Sequence, residues 1–233
     1  MNPTVYLIPT VLSEDVLDPI PAYVLTAVLE CSVFYVENER TARRYLKKLS
    51  RDIVIDDYKW IAIHKAEGAV LQQFTADLAR GLVIGILSEA GCPGVADPGQ
   101  RLVAAAQRAG VRVKPLSGPS SILLGLMASG MNGQLFRFDG YLPIEGEERP
   151  KAIRKLEADA QQTGCTHIFI ETPYRNNALL AALLKHCSGT TRLCIARDIT
   201  GAGESILTKT IAEWKKEVPD LHKIPTLFLL GEG

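Results

Sequence analysis

The chain has no excess of positive or negative charge, no C-x-x-C cysteine motif and no long apolar segment. Its 26 Lys and Arg residues equal its 26 Asp and Glu residues, so no global positive field would draw nucleic acid to it non-specifically. The five cysteines form no C-x-x-C pair, which favours a reduced, intracellular protein without a structural zinc site. The N-terminus lacks the regions of a signal peptide, and no apolar run approaches the roughly 18–20 residues that span a bilayer. We therefore expect a cytoplasmic protein with no metal and no membrane partner.

Two common nucleotide-binding signatures are missing as well. Neither G-x-x-x-x-G-K-[ST] nor a complete G-x-G-x-x-G occurs, so neither a P-loop nor a dinucleotide fingerprint is predicted. The segment GAGES at 201–205 comes closest to the second signature but lacks its third glycine. With 233 residues, of which 47% are hydrophobic, the chain is long enough for one large domain or two small ones.

Short apolar runs alternate with amphipathic stretches of helical period in the first half. Strands are predicted in TVYLIPT, SVFYVEN, LVIGIL and VRVKPL, and helices between them at residues 20–30, 40–49 and 69–80. A further helix is predicted with Asp97 as its N-cap, Pro98 at its first position and Gly110 just past its end. This alternation favours a parallel sheet flanked by helices.

The pattern changes near residue 117. Helices are predicted at 119–129, at 150–162 and in NNALLAALLKH and IAEWKKE, and strands in THIFIE, TRLCIARDI, ESILTKT and PTLFLLG. Fewer crossover helices for each strand indicate a mixed sheet. We therefore predict an α/β fold of two α/β domains, residues 1–116 with a parallel-rich sheet and residues 117–233 with a mixed sheet. Residues 142–150 are predicted to form an exposed, mobile loop.

The segment SEAGCPGVADPG at 88–99 follows a predicted buried strand and consists almost entirely of small or turn-forming residues. A loop after a parallel strand lies at the carboxyl edge of the sheet, where α/β proteins usually bind ligands. Gly91, Gly94 and Gly99 relax the backbone limits there, so that backbone groups could form the recognition surface. A plain connecting loop explains the same composition equally well. A second loop of this kind, KPLSGPSS, follows the next strand and could line the same crevice.

These two loops and the helices that follow them, LSEAGCPGVADPGQRLVAAAQRAGVRVKPLSGPSSILLGLMASG, resemble a known family. They are similar to the core of the tetrapyrrole methylase superfamily, the class III S-adenosylmethionine-dependent methyltransferases. The nearest branch is that of the 16S ribosomal RNA cytidine ribose-2′-O-methyltransferases, with its S-D-A-G-x-P-x-x-x-D-P-G, P-L-P-G-P-[SC]-A and A-L-x-A-S-G-L patterns. The segments VYLIPT, ENER, FDGYLP, IFIETPYR, IARDIT and PTLFLLGEG resemble further parts of that branch in the same order. The resemblance covers nearly the whole chain and implies two α/β domains with a ligand cleft between them.

The sequence also departs from that branch, mainly in parts that would face the substrate. VLSEDVLDPIP stands in place of a P-I-G-N-L segment, Glu89 replaces an aspartate, and Asn38 and Glu39 replace Asp and Thr. The second histidine of an H-x-H-N-E segment is missing, and we expect a short form without the branch's helical C-terminal extension. These departures leave methyl transfer as the implied activity and leave the acceptor open.

The resemblance implies S-adenosylmethionine as the cofactor. Matching residue by residue, one side of its site would be formed by Ser88, Glu89, Ala90 and Gly91, another by Ser120 and Ser121, and the part from the second domain by Glu171, Ala196, Thr226 and Leu227. The alternative is that the serines cap helices and the other residues fill the sheets.

Methyl transfer requires an aligned nucleophile, and a hydroxyl nucleophile also needs a base to take its proton. Glu37, His64 and Glu171 are the candidates, and we predict that Glu37 or His64 faces the acceptor. Glu37 could instead pair with Arg40 at i+3 on a helix, and His64 could be a core histidine. Among the cysteines, which we expect to be packing residues, only Cys92 lies in the loop.

A stretch of basic residues is a candidate surface for binding RNA. It is formed by Arg40, Arg43, Arg44, Lys47, Lys48 and Arg51, and it could contact RNA phosphates or be a solvated helix face. Our first hypothesis is a methyltransferase for a ribose hydroxyl of a 16S ribosomal RNA-like substrate, with the ribosomal subunit as partner. A tetrapyrrole or other small acceptor is the alternative within the enzyme class, and a cofactor-binding sensor or scaffold is the alternative outside it. The resemblance also implies a homodimer.

Overall fold

The fold comes from a computed structural model that describes residues 3–63 and 67–232. The chain divides into two units, Met1–Ser120 and Ser121–Gly233, and each contains a five-stranded sheet. The boundary after residue 116 that the sequence suggests lies slightly earlier and stays a prediction. Within the described ranges, no helix is both long and apolar enough to cross a membrane.

The described part of the N-terminal unit is a parallel sheet with helical connections. Its strands are β1 (Thr4–Leu7), β2 (Val33–Val36), β3 (Lys59–Ala62), β4 (Val83–Leu87) and β5 (Arg112–Pro115). Its helices are α1 (Tyr23–Glu30), α2 (Glu39–Leu49), α3 (Glu67–Ala79) and α4 (Gln100–Arg108), with a single 3₁₀ turn at Ile55–Asp57. The strand order is β3-β2-β4-β1-β5, and every pairing is parallel. The predicted parallel-rich sheet is confirmed.

Strand β2 shows why this sheet is buried on both faces. Successive side chains on a strand point to opposite faces. Val33 and Tyr35 therefore pack with Phe74 of α3 on one face, and Phe34 and Val36 pack toward α1 and α2 on the other. The four strand residues are fully buried, which explains why the sequence reads as an unbroken apolar run rather than an alternating one.

An aromatic stack links the middle of this sheet to α2. A Cβ atom at Gly85 of β4 would lie 2.5 Å from Cδ1 of Phe34, so only glycine leaves room for that ring. Phe34 stacks on Trp60 with ring centroids 5.0 Å apart, and the guanidinium of Arg43 lies over Trp60 at 5.4 Å. The first half of α2 is thus packed against the sheet.

The C-terminal unit is a mixed sheet in the residues that are described. Its strands are β6 (Phe136–Tyr141), β7 (Thr166–Ile170), β8 (Arg192–Arg197), β9 (Ser205–Thr210) and β10 (Thr226–Gly231). Its helices are α5 (Ser121–Ser129), α6 (Glu148–Thr163), α7 (Asn176–His186) and α8 (Ile211–Trp214). The order is β6-β7-β10-β8-β9; β6 and β7 are parallel and the other pairs are antiparallel. The predicted mixed sheet is confirmed.

The core of this unit packs α6, α7 and α8 on one face of the sheet. Phe169 of β7 and Phe228 of β10 stack there with centroids 5.9 Å apart. Helix α8 is short, and a capping box between Thr210 and Glu213 closes its first turn. Trp214 at its end is buried and donates its ring N–H to the carbonyl of Leu193 at 2.8 Å.

Three helix starts differ from the sequence-based predictions. Helix α4 begins at Gln100 with Gly99 as its N-cap at φ 119°, so Asp97 and Pro98 still belong to the loop. The left-handed conformation of Gly99 is not helical, and the helix therefore starts after this glycine although Asp97 and Pro98 are residue types that usually start a helix. Helix α5 begins at Ser121 rather than at residue 119. Helix α6 begins at Glu148, so the end of the predicted 142–150 loop is helical and buries Arg149.

Candidate active site

The segments that follow β1, β4 and β5 contact one another at the carboxyl edge of the N-terminal sheet. The N–H of Thr10 donates to the carbonyl of Gly91 at 2.9 Å, and its hydroxyl lies 3.4 Å from the carbonyl oxygens of both Ser88 and Gly91. Gly118 lies directly on Pro9, since a Cβ there would be 2.1 Å from the proline Cβ. The proline ring therefore leaves room only for glycine at position 118.

The predicted cofactor loop is exposed at its second and third residues. Ser88 is buried, whereas the next two residues, Glu89 and Ala90, are exposed. Gly91 has φ +70°, and a Cβ there would lie 3.3 Å from both the Leu12 side chain and the carbonyl of Pro119. A larger residue at this position would therefore be strained as well as crowded. The structure has the small-residue loop that the sequence predicts at the end of β4.

Glu37 lies against this loop, directly after β2. Its carboxylate accepts a hydrogen bond from the backbone N–H of Glu89 at 3.0 Å, and its own N–H donates to the carbonyl of Leu87 at 3.2 Å. The next residue, Asn38, caps α2 by accepting from the backbone N–H groups of Arg40 and Thr41. Sheet and helix cap together fix Glu37 beside the loop, as required of a residue that would face an acceptor.

Asp97 joins Glu37 and Glu89 in an acidic cluster. Burial, together with the negative charge of Glu37 and, more weakly, that of Glu89, raises the pKa of Asp97 to about 6, although a hydrogen bond with Ser88 opposes the shift. From the sequence, Asp97 is predicted only to cap a helix. The Asp-Pro-Gly end of the matched motif was the signal that could have identified it as a site residue.

A cavity of about 280 Å³ opens beside the loop. Its walls are formed by the segment after β1, by α2 and by residues 88–90. Arg44 and Lys48 of α2 supply its positive charges, and Glu14 and Glu89 supply negative ones. The cavity therefore places charged side chains of α2 next to residues 88–90.

Two residues of the basic stretch hold the segment that departs from the ribosomal RNA branch. Arg44 Nη1 lies 2.5 Å from a carboxylate oxygen of Glu14. Lys48 Nζ lies 3.0 Å from a carboxylate oxygen of Asp15 and donates to the backbone carbonyl of Glu14 at 2.6 Å. Such exposed pairs typically contribute only about 0–1 kcal/mol each. The two ion pairs therefore contribute little to the stability of the fold.

The predicted residues of the C-terminal unit lie at one end of its sheet. Leu227 of β10 pairs with Ala196 of β8 and, on its other side, with Ile170 of β7. Glu171 follows Ile170 directly, and Thr226 precedes Leu227. Glu171, Ala196, Thr226 and Leu227 are all buried, so the fold brings these four residues together within this unit.

Glu171 is held by two arginines. Its carboxylate lies 2.9 Å from Nη2 of Arg149 and 2.8 Å from Nη2 of Arg175, and it also accepts from the N–H of Thr172 at 2.8 Å. Burial acts to raise the pKa of Glu171, but the hydrogen bonds and the two positive charges together lower it below its ordinary value. A carboxylate held in the ionised form with both oxygens occupied is a poor general base, which removes Glu171 from that role.

The remaining predicted residues differ in how far the structure describes them. Ser120 lies in the segment between β5 and α5, and Ser121 is the first residue of α5; both are half-buried. His64 lies outside the described residues. Burial raises the pKa of Cys92, and its Sγ lies 3.5 Å from the carbonyl of Pro119. The thiol is therefore protonated at neutral pH, consistent with a packing role.

Residues 17–215 match the family model described as Tetrapyrrole (Corrin/Porphyrin) Methylases. The chain belongs to the tetrapyrrole methylase family. As a member of that family it is an S-adenosylmethionine-dependent methyltransferase, in agreement with the resemblance.

Two relatives and two solved structures are similar to this methylase. It is 30% identical over 235 residues to Ribosomal RNA small subunit methyltransferase I of Vibrio cholerae serotype O1, covering 99% of this chain and 77% of that protein. It is 30% identical over 216 residues to the protein of the same name from Mesorhizobium japonicum, covering 91% of this chain and 68% of that protein. The structure of the methyltransferase CobJ matches with TM-score 0.65 and 17% identity over 100% of this chain and 95% of that one. The cobalt precorrin-4 methyltransferase CbiF matches with TM-score 0.64 and 14% identity over 98% and 94%, and both likenesses show the fold alone.

The N-terminal edge of this methylase fits the chemistry of its cofactor. S-adenosylmethionine carries positive charge on its sulfonium and its ammonium group. The carboxylates of Glu37, Glu89 and Asp97 make the surroundings of the loop negative, which favours a cation. Gly91 and Gly118 leave no room for a side chain, because Leu12, Pro119 and Pro9 pack directly against these two positions.

Proposed function

We propose that this methylase transfers the methyl group of S-adenosylmethionine to a ribose hydroxyl of small-subunit ribosomal RNA. The observation that carries the proposal is the 30% identity, over 99% of this chain, to a Vibrio cholerae protein named Ribosomal RNA small subunit methyltransferase I. We also propose that it acts in the cytoplasm as a homodimer, with the small ribosomal subunit or its RNA as partner.

For the cofactor, we propose that the backbone of residues 88–91 provides the first contacts. When bound, S-adenosylmethionine supplies an electrophilic methyl group for displacement by an aligned nucleophile. Ser120, Ser121, Ala196, Thr226 and Leu227 remain proposed cofactor residues, as does Glu171. Because the carboxylate of Glu171 is occupied by Arg149 and Arg175, its part would be to position those two side chains.

For the acceptor, Glu37 is the proposed group that takes or orients the hydroxyl proton. One of its carboxylate oxygens is held by the N–H of Glu89, which fixes the direction in which the group faces. A general base must lie within hydrogen-bond reach of the proton that it removes. The position of Glu37 at the strand end is fixed beside the proposed cofactor loop, where the hydroxyl group of the acceptor would need to lie. His64 remains the second proposed candidate.

For the RNA, Arg44 and Lys48 are the proposed phosphate contacts. Both line the cavity next to residues 88–90, and their present partners, Glu14 and Asp15, are exposed carboxylates. A phosphate offers the same kind of acceptor oxygens and a stronger charge-assisted hydrogen bond. RNA binding would therefore exchange these ion pairs for contacts with the backbone of the substrate.

The test has two stages. Calorimetric titration with S-adenosylmethionine and S-adenosylhomocysteine, alongside ATP and NAD, should show binding of the first two ligands only. Transfer of a labelled methyl group is then followed to small ribosomal subunits, to total ribosomal RNA and to tetrapyrroles. We expect label in small-subunit RNA in a dinucleotide that resists alkaline hydrolysis, since a 2′-O-methyl group blocks the attack of that oxygen on the neighbouring phosphate. Label in the tetrapyrrole, or binding without any transfer, would reject the RNA substrate.

A further inference from the structure

A histidine, a cysteine and an aspartate lie together in the C-terminal unit, in a cluster formed by Asp159, Cys165 and His167. The ligand atoms of the three side chains all lie within 4.8 Å of one another. Cys165 and His167 are two positions apart where β7 begins, so their side chains share one face of the strand. Asp159 lies near the end of α6, and the left-handed Gly164 at φ 71° turns the chain back toward the strand. Local geometry thus brings the three side chains together.

The histidine of this cluster is fixed from its other side. His167 is fully buried, and its Nδ1 lies 2.8 Å from Oδ2 of Asp139. Asp139 is in turn held at its other oxygen by Arg137 Nε at 2.6 Å. When Nδ1 donates its proton to Asp139, Nε2 of the neutral ring carries a free lone pair. A carboxylate that orients a histidine in this way is the usual support of a metal-binding imidazole.

The second nitrogen of His167 faces into the cluster without a hydrogen bond. Its Nε2 lies 2.9 Å from Oδ2 of Asp159, yet it has no hydrogen-bond partner among the described residues. The contact is short enough for an ion pair but misaligned for a hydrogen bond. A buried nitrogen and a carboxylate oxygen side by side, with a thiol near them, resemble neighbouring ligands of one cation. About 3.3–3.6 Å separates such ligands around tetrahedral zinc, so small side-chain rotations would suffice.

We propose that Asp159, Cys165 and His167 bind a divalent transition-metal ion of the zinc type, with Asp139 as the positioning residue for His167. One nitrogen, one oxygen and one sulfur ligand form a set that zinc accepts. Binding replaces the proton of the Cys165 thiol, which leaves to solvent. The ion and Arg137 then balance the thiolate and the two carboxylates. Asp159 is 38% exposed, so a water molecule from that side completes the coordination.

The site is structural rather than part of methyl transfer. His167 is at the start of β7, whereas Glu171 follows its end, about 13 Å away along an extended strand. An ion here would join the end of α6 to β7 and, through Asp139, to β6. The absence of a C-x-x-C pair led to the expectation of no metal. That rule does not detect a C-x-H pair whose third ligand comes from the preceding helix.

The experiment uses the full chain after treatment with a chelator. Titration with Co²⁺ should produce a sulfur-to-cobalt charge-transfer band and the strong visible bands of tetrahedral cobalt, and added Zn²⁺ should abolish both. Cys165→Ser should lose the charge-transfer band and bind Zn²⁺ at least about 100-fold more weakly than the unmodified protein. Cys194→Ser is the matched control, because Cys194 is another buried, free cysteine of the same sheet outside the cluster.

Asp139→Asn tests the positioning role separately. This variant should keep the cobalt band but bind Zn²⁺ about 10–100-fold more weakly, as expected when the support of a ligating histidine is removed. The proposal is overturned if the unmodified protein shows no sulfur-to-cobalt band. It is also overturned if Zn²⁺ binds equally well to the unmodified protein and to Cys165→Ser. Either result would leave His167 as an ion-paired core histidine. Because these readouts do not use methyl transfer, they stand apart from the proposed function.

Discussion

At the residue scale, Asp97 links the site to the pH dependence of stability. Its pKa is raised from 3.8 to about 6, so between these values the folded chain holds a proton that the unfolded chain has lost. The free energy of unfolding therefore falls as the pH rises through this window. We expect Asp97→Asn to flatten this slope and to add on the order of 1 kcal/mol at neutral pH, because the group is partly screened by solvent.

Urea unfolding at several pH values from about 4 to 7 measures this effect. The exposed Asp52 offers a control, and Asp52→Asn should leave the slope as it is. An unchanged slope in Asp97→Asn would show that the acidic cluster does not raise the pKa of this carboxyl.

Glu37 gives the residue-scale prediction for catalysis. Glu37→Gln retains an oxygen that can accept from the N–H of Glu89 but cannot take a proton. We expect methyl transfer to slow by at least about 100-fold, the lower range for loss of a general base, while calorimetry shows unchanged cofactor affinity. Glu39→Gln, two positions along on α2, should keep near-normal turnover. Normal turnover in Glu37→Gln would exclude Glu37 as the base.

At the scale of secondary-structure elements, helix α2 should carry the RNA contacts. We expect the double change Arg44→Ala and Lys48→Ala to weaken RNA binding, because it removes two charges that line the cavity. The slope of log affinity against log salt should become shallower by about 1.4, the value for two contacts with single-stranded RNA. Filter binding over a series of salt concentrations measures this slope.

A matched double change on the same helix and just beyond it is available as the control. Lys47 and Arg51 are exposed, and Lys47 donates to the backbone carbonyl of Arg51 at 3.0 Å. Lys47→Ala with Arg51→Ala should leave the salt slope close to that of the unmodified protein. Equal slopes for the two double variants would favour a solvated helix face without a specific RNA contact.

The contact between α6 and the end of β7 gives a stability prediction. Arg149 and Glu171 have side-chain exposures of only 7% and 2%, so Glu171→Ala would leave a buried guanidinium without its countercharge. We expect a loss of about 3–5 kcal/mol in the free energy of unfolding, measured by denaturant titration. Lys151 and Glu148 form an exposed pair on the same helix, and Glu148→Ala should cost less than about 1 kcal/mol. Similar losses for the two variants would contradict the assignment of Glu171 as a buried anchor.

At the scale of the whole molecule, the sequence predicts the buried interior strands of the two sheets better than strands at the sheet edges. Strands β2, β4 and β10 were predictable because each is an apolar run buried on both faces. Strand β3 (KWIA) and strand β6 (FRFDGY) were not predicted, since both are largely exposed or half-buried and β6 is interrupted near Gly140. Their place is decided by pairing with a neighbouring strand, which no local pattern records.

The features of the candidate site also divide into those that a local pattern predicts and those that it does not. The loop at 88–91 was predictable because its small residues and its position after a strand are local features. The contact of Glu171 with Arg149 was not predictable, since the two residues lie 22 positions apart in the sequence. The raised pKa of Asp97 was equally hidden, because it depends on burial in the folded chain and on the charge of Glu37 from another strand end. Distant pairs that meet only after folding are what single-sequence reasoning misses.

The homodimer is a prediction about the whole assembly. The chain has a mass of 25.4 kDa, and light scattering at assay concentrations should give about twice that value. A symmetric pair is the commonest assembly of soluble proteins. A mass that stays at the single-chain value over the working range of concentration would contradict the dimer.

The two tryptophans give the protein a fluorescent reporter in each unit. Trp60 lies in the stack between Phe34 and Arg43 of the N-terminal unit, and Trp214 is buried at the end of α8 in the C-terminal unit. The sequence contains no other tryptophan. Trp60→Phe and Trp214→Phe would therefore each leave a single emitter, and its spectrum would report on one unit at a time. Quenching of the Trp60 fluorescence when RNA is added would report on RNA binding at α2. The Trp214 fluorescence would report on the unfolding of the C-terminal unit.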